Sequence, residues 1–409
     1  MASYSKIPLG KSVNVRPFKV QVAEEKLQHF RKLLELSPIA PPVFENTNAG
    51  TQFGITRSWL EEAKNKWLNE FDWRKHEDRI NSYPSFKATV LDGDGNTLDI
   101  HFLALFSEKK NAIPVAFLHG WPSSNCEYMD MLDLLKKRYT PAELPYHVVV
   151  PCLPGYGYST GPPLDRDFSI EAAAGAINNL MIELGFGNGY FAQGGDLGSF
   201  VSRQLAMTYD NCKGIHVSMM GIPAVQDRQE SPMDEEEKRA LARGGEFLDS
   251  SSAFLLEQGQ RPATIGFVLS SSPLALLSWM GEKFLAWTDA DLPLERILEE
   301  VTLYWMTDTA PRSFWHNRSM YGGSDNPKIA RISNIMSMGA LRLPYVEKPC
   351  GYSMFYNEIV PVPESWAHES CNLVFFNKHS RGGHFPAMEK TQELVDDLEE
   401  YIKRAQDTP

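Results

Sequence analysis

The chain lacks most of the features that assign a function from composition alone. Its five cysteines (Cys126, Cys152, Cys212, Cys350, Cys371) are odd in number and form no C-x-x-C pair. That argues against a disulfide framework and against a zinc site, and points to a reducing, cytoplasmic compartment. Positive charge is short: 40 Lys and Arg stand against 52 Asp and Glu, a formal net charge of -12. Such a surface repels phosphate backbones, so nucleic acid is not an expected partner. No basic-then-apolar leader is present at the N-terminus. One uncharged stretch, Ala263 to Gly281, approaches the length of a membrane span, but Ser270-Ser271-Ser272-Pro273 interrupts it. It reads as a buried segment and not as a span.

What is present is ordinary globular material: 409 residues, 43% hydrophobic and 22% charged, with 29 Gly and 27 Pro. This length suits one α/β core carrying additions. Helical patterns at Ala23 to Leu36 and Ser58 to Phe71, separated by Pro38-Ile39-Ala40-Pro41-Pro42, predict an N-terminal helical arm over 1–86. From Lys87 the hydrophobic period becomes two, with Asp92-Gly93-Asp94-Gly95-Asn96 as a hairpin turn. Its spaced acids resemble a calcium loop, yet Thr97 and Leu103 occupy the places of the required glycine and glutamate.

Apolar runs at Ile113 to Leu118, His147 to Val150, Tyr190 to Ala192, Ile215 to Met219, Tyr352 to Phe355 and Leu373 to Phe376 have the character of strands buried on both faces. Helical stretches between them, Ile170 to Leu184 and Phe200 to Thr208, imply right-handed crossovers and a mostly parallel sheet with helices on both faces. The α/β core therefore occupies 87–220 and 346–409. Between them, over 221–345, the sheet pattern stops, and Met233 to Leu248 and Leu292 to Met306 look helical, as in an inserted lid.

Two glycine clusters, Gly185 to Gly189 and Gly155 to Gly161, sit wrongly for phosphate loops: the first precedes a strand, and the second runs into Pro162-Pro163. Gly194-Gly195-Asp196-Leu197-Gly198 is different, because it follows a strand and opens a helix with the G-x-nucleophile-x-G spacing of an elbow. Alone, Asp196 serves equally well as a helix cap. Its companions favour chemistry. His119-Gly120-Trp121-Pro122 follows the strand that supplies an oxyanion-hole amide, which gives Trp121 and Leu197 as the two amides. Glu358 and His384 follow the last two strands, so that Asp196, Glu358 and His384 stand in the chain order nucleophile, acid, base. A carboxylate in the elbow suits displacement at saturated carbon, followed by hydrolysis of the resulting alkyl ester. An epoxide or an alkyl halide meets that requirement.

With these motifs the chain resembles the epoxide hydrolases of the microsomal type, and is most similar to soluble filamentous-fungal members. Phe71-Asp72-Trp73-Arg74, His119-Gly120-Trp121-Pro122, Gln193-Gly194-Gly195-Asp196, Arg261-Pro262, Ser270-Ser271-Ser272-Pro273, Pro361-Val362-Pro363 and Gly382-Gly383-His384 carry the similarity over nearly the whole chain. The resemblance implies an α/β-hydrolase core with a helical lid and a wrapped arm. It also implies a homodimer, a small hydrophobic epoxide-bearing substrate, and no metal or cofactor. By the same resemblance Asp196 attacks an epoxide carbon, and His384 with Glu358 activates water. Members with a membrane anchor carry it before the arm, and this chain begins too late to include one. Haloalkane dehalogenases share the Asp nucleophile, but a Trp usually follows it where this chain has Leu197.

One departure stands out. The family sets two lid tyrosines over the nucleophile to protonate the opening ring, and here Phe254 and Asn317 occupy their positions. A phenylalanine has no proton to give, and an amide donates only a hydrogen bond. Tyr321 and His316 are the candidate replacements. The departure suggests a specialised fungal secondary-metabolite enzyme. It keeps two alternatives open: a non-hydrolytic cyclase or isomerase using Asp196 and His384 as acid and base, and a catalytically silent homologue that binds a ligand.

Overall fold

The computed structural model describes residues 4–8, 14–220, 232–321 and 344–407. Among these, the apolar runs form β4 (Ile113–Leu118), β5 (Tyr146–Pro151), β6 (Tyr190–Gly194), β7 (Cys212–Val217), β8 (Val346–Asn357) and β9 (Cys371–Gly383). They pair in parallel in the order β5-β4-β6-β7-β8-β9. Antiparallel β1 (Val15–Pro17), β2 (Ser85–Leu91) and β3 (Thr97–Leu105) extend the sheet beyond β5. The β2–β3 turn is built by its acids: the Asp92 carboxylate accepts the backbone N–H of Asp94 at 2.9 Å and of Asn96 at 2.7 Å. This Asx-type turn satisfies the loop internally, so the acids close a hairpin.

All six residues of β5 are buried, as a strand covered on both faces requires. The covering helices include α4 (Met129–Arg138), α5 (Ile170–Met181), α6 (Asp196–Thr208) and the C-terminal Thr391–Asp407. This is the α/β-hydrolase fold.

The N-terminal helices α1 (Glu24–Leu36), α2 (Arg57–Asn69) and α3 (Trp73–Asn81) pack against helices inserted after β7. Those inserted helices are α7 (Glu235–Ser250), α8 (Ala253–Gln260), α9 (Pro262–Ser270), α10 (Pro273–Ala286), α11 (Leu294–Met306) and α12 (Trp315–Tyr321). Trp67 donates its indole N–H to Thr302 at 2.9 Å, and His76 bridges Glu295 and Glu299 at 3.1 Å each, so the arm is clamped to α11.

Three expectations need correction. The uncharged stretch at 263–281 is not one buried segment, because α9 and α10 meet at 117° where Ser272 caps α10, and Phe267 is 78% exposed. Among the described residues, no single helix is long and apolar enough to cross a membrane. The helix expected over Phe200 to Thr208 begins earlier, at Asp196 itself, since Gly195 is its N-cap. The last strand, expected over Leu373 to Phe376, is longer: β9 stays paired with β8 as far as Gly383, so that His384 follows it directly.

Candidate active site

Four strand ends deliver the site. β4 ends before His119-Gly120-Trp121, β6 before Gly195-Asp196, β8 before Glu358 and β9 before His384. In a parallel sheet these ends lie along one edge, where such folds bind ligands.

The elbow depends on its glycines. A Cβ on Gly198 would lie 1.8 Å from the Leu118 carbonyl oxygen, and one on Gly194 would lie 2.4 Å from the Gly198 backbone. With both side chains missing, β6 and α6 approach closely enough to force Asp196 into the left-handed region, at φ +45°. That conformation costs a non-glycine residue about 1–3 kcal/mol, and such strain gathers at functional positions. It leaves a quarter of the Asp196 side chain accessible while the residues around it are buried.

Around this carboxylate the sequence-derived residues come together. The Trp121 N–H donates to Asp196 Oδ1 at 2.8 Å. His384 Nε2 lies 3.4 Å from Asp196 Oδ2, an ion-pair distance without hydrogen-bond alignment. On its other side His384 Nδ1 is 2.7 Å from Glu358 Oε1. Glu358 is held in turn by the backbone N–H groups of Ile359 at 2.7 Å and Val360 at 3.3 Å. Burial opposes a charge on His384, but the Glu358 and Asp196 carboxylates outweigh it and raise its pKa to about 10. For Asp196, burial works against ionisation, and the His384 contact overcomes it to hold the carboxyl below its usual range. At rest, therefore, the Asp196 carboxylate faces the His384 imidazolium.

Leu197 is the second residue of α6, and its N–H is among the first-turn amides that no intrahelical carbonyl takes. His119 does not join the triad. Its Nε2 accepts the Leu153 N–H at 3.0 Å, its Nδ1 faces the Gly120 carbonyl at 2.9 Å, and burial lowers its pKa to about 4. It is a neutral brace for the Trp121 turn.

The comparisons with known proteins show the family and the fold. The epoxide hydrolase N terminus profile matches residues 15–128, and the α/β-hydrolase fold profile matches 113–246. The solved structure of the Aspergillus niger epoxide hydrolase is 43% identical, covers 99% of this chain and 100% of its own, and superposes with a TM-score of 0.88. A Dothistroma septosporum protein provisionally assigned as an epoxide hydrolase is 43% identical over 406 residues, 98% of this chain and 93% of its own. Epoxide hydrolase 1 of Sus scrofa is 27% identical over 424 residues, 95% of this chain and 88% of its own.

The chain belongs to the epoxide hydrolase family. In this epoxide hydrolase the two positions expected to carry tyrosines hold Phe254 and Asn317. The Phe254 ring stacks on Trp121 with centroids 5.4 Å apart and planes 16° from parallel, so it sits beside the Trp121 amide that faces Asp196. Trp287 closes the same aromatic group, 5.2 Å from Phe254 and edge-on to His384 at 5.1 Å. Asn317 is buried and donates its amide to Gln258 Oε1, leaving Gln258 Nε2 without a partner.

His316 Nδ1 lies 2.7 Å from the Ser313 carbonyl, which puts the ring proton on that nitrogen. Burial lowers the His316 pKa, although Asp196 pulls it upward. His316 is thus neutral, with its proton already engaged. The side chain of Tyr321 lies outside the described residues.

Sequence reasoning missed several groups that the fold brings close. Trp287 accepts the His384 backbone N–H at 2.8 Å, and Lys283 is buried with its ammonium 5.0 Å from the Phe254 ring. Gln258 lies one helical turn beyond Phe254. Only this i, i+4 spacing on a predicted helix could have signalled it.

Proposed function

We propose that this epoxide hydrolase opens its substrate in two steps through an ester on Asp196. The observation that carries the reading is the line from Asp196 through His384 to Glu358, at 3.4 and 2.7 Å, with the Trp121 N–H on Asp196 Oδ1 at 2.8 Å. Asp196 Oδ2 attacks an epoxide carbon, the C–O bond of the ring breaks, and an alkoxide remains. Alkylation removes one of the two charges that keep the proton on His384. That proton then passes to the alkoxide, and the neutral imidazole becomes a base. Water gives a proton to His384 and adds to Cγ of Asp196. The amides of Trp121 and Leu197 hold the oxyanion, and the diol leaves.

The substrate is a small hydrophobic epoxide, a reading supported by the aromatic wall of Trp121, Phe254 and Trp287. Phe254 and Asn317 support a specialised secondary-metabolite role, because a lid without acids favours epoxides whose leaving oxygen is stabilised within the substrate. The same reading includes the arm, core and lid over 1–86, 87–220 with 346–409, and 221–345, a homodimer, and a cytoplasmic location consistent with the free buried cysteines.

The test is intact mass during turnover of styrene oxide and a panel of substituted epoxides. Asp196→Ala abolishes turnover and forms no adduct. His384→Ala opens the ring more slowly, because the alkoxide must take its proton from solvent, but the adduct of substrate mass then persists, because nothing removes the proton from water. A single turnover in heavy-oxygen water puts the unlabelled carboxylate oxygen into the diol. The missing lid acids favour one second reading, rearrangement, and a product isomeric with the substrate establishes it in place of hydrolysis.

A further inference from the structure

Against Asp196 lies a small cavity of the size that holds about one water molecule. Asp196, His384, Gln193, Glu127, Ser123 and Ser218 contribute to its wall. Two of the wall atoms are buried polar atoms without a hydrogen-bond partner: His384 Nε2 and Gln193 Oε1. Their residues are 3% and 1% exposed. Unsatisfied buried polar atoms are costly, at about 1–3 kcal/mol each, and native proteins keep them where a ligand or a water answers them. Glu127 is also buried, and its carboxylate is fixed by the Ser123 hydroxyl, which also donates to the Gly120 carbonyl at 3.2 Å.

We propose that this cavity is the seat of the water that cleaves the alkyl-enzyme ester, with Gln193 and Glu127 as its positioning residues. The inference rests on the ester reading above and adds what that reading leaves open: how the water is aimed. A water seated here points one O–H at His384 Nε2 and the other at Gln193 Oε1. That leaves a lone pair for Cγ of Asp196. Attack forms the new C–O bond at Cγ while one proton passes to His384 Nε2. The ester C–O bond then breaks, and His384 returns the proton to the departing alkoxide. Gln193 neither gains nor loses a proton; it fixes the rotation of the water. Glu127 closes the wall beside Ser123. Gln193 is the penultimate residue of β6, two positions before the end of the G-G approach to the elbow, so the strand that presents the nucleophile also presents the group that aims its water.

The two half-reactions separate this role from a structural one. With styrene oxide in single turnover, Gln193→Leu and Glu127→Leu form the alkyl-enzyme at close to the wild-type rate. They release it at least about tenfold more slowly, so the adduct accumulates in intact mass. Ser218→Val fills the cavity from β7's end without touching either positioning residue and gives the same split, which covers the case in which a wall variant folds poorly. If all three variants lose alkylation and ester cleavage in equal measure, or none accumulates adduct while His384→Ala does, the seat is overturned and the ester mechanism stands. If a single wild-type turnover in heavy-oxygen water puts the label directly into the diol, the ester reading itself falls. That outcome is distinct from failure of the water seat alone.

Discussion

The sheet edge and the lid meet over the same carboxylate but are built on opposite plans. At the edge every charged group has an answering one: Asp196 and Glu358 flank His384, and Ile359, Val360 and Trp121 supply backbone N–H groups to the carboxylates. In the lid the positions expected to carry acids hold Phe254, Asn317 and a neutral His316. The edge spends strain and burial on making a nucleophile and a base. Among the described residues, these lid positions supply shape and apolar surface in place of the expected acids. On the ester reading, the difference separates nucleophilic power from leaving-group activation. One can be kept intact while the other is given over to the substrate.

The largest expected effect tests the edge. Gly198→Ala puts a Cβ 1.8 Å from the Leu118 carbonyl oxygen, so α6 must move away from the end of β4 or Asp196 must leave its φ of +45°. Activity falls by about 10³ or more, because a nucleophile displaced by even 1 Å loses about 10²-fold and the Trp121 hydrogen bond goes with it. Steady-state rates, with circular dichroism to establish that the chain is folded, check this. Retained activity would mean that the elbow is not what holds Asp196 in position.

The lid gives the middle effect, with the opposite sign. One preorganised donor to a developing oxyanion is worth about 10²–10³ in rate, and a newly introduced phenol recovers part of it. Phe254→Tyr with Asn317→Tyr therefore raises kcat/KM on styrene oxide by about tenfold to a hundredfold. It does so although Asn317 must give up its bond to Gln258. An unchanged or lower value would show that another group in the lid already supplies the proton, and the contrast between edge and lid would close.

The same contrast explains what was legible in the sequence. The edge could be read because each of its residues follows a strand whose apolar run is unmistakable, and because the Gly194 and Gly198 spacing is imposed by backbone contact. The lid substitutions at Phe254 and Asn317 were visible only against the family pattern. Their consequences, the stacking on Trp121 and the bond to Gln258, depend on helix packing that no local signal encodes. β1 escaped notice because a three-residue edge strand of Val-Arg-Pro has no periodicity to detect. The apolar stretch at 263–281 misled because hydrophobicity alone does not reveal the break at Ser271-Ser272, whereas the capping hydroxyl of Ser272 does once the helix is seen. Glu127 and Gln193 were passed over for a different reason. A carboxylate or an amide near a motif is usually solvated, and only burial marks these two as unusual.

The smallest effect concerns the charge that the edge stores. His384 titrates near 6.5 in an unfolded chain and near 10 in the folded one, since Glu358 and Asp196 outweigh the cost of burial. The folded state therefore binds this proton more tightly. The stabilisation is fully present below about pH 6.5 and is lost as pH rises toward 10. Glu127 and Glu300, raised by burial to about 7 and 8, also favour the protonated folded state and weaken it as pH rises. They do so in wild type and variant alike, so the comparison that isolates His384 is a difference. Urea unfolding of wild type and His384→Gln at pH 6, 8 and 10 should converge: wild type is the more stable at the lowest pH and loses that advantage by the highest. His119 and His316, whose pKa values burial lowers, weaken the folded state as pH falls, but both proteins contain them, so the difference isolates His384. An advantage that stays constant to pH 10 would mean that His384 is neutral in the resting enzyme. The base would then be ready before alkylation, and the proton for the alkoxide would have to come from the lid after all.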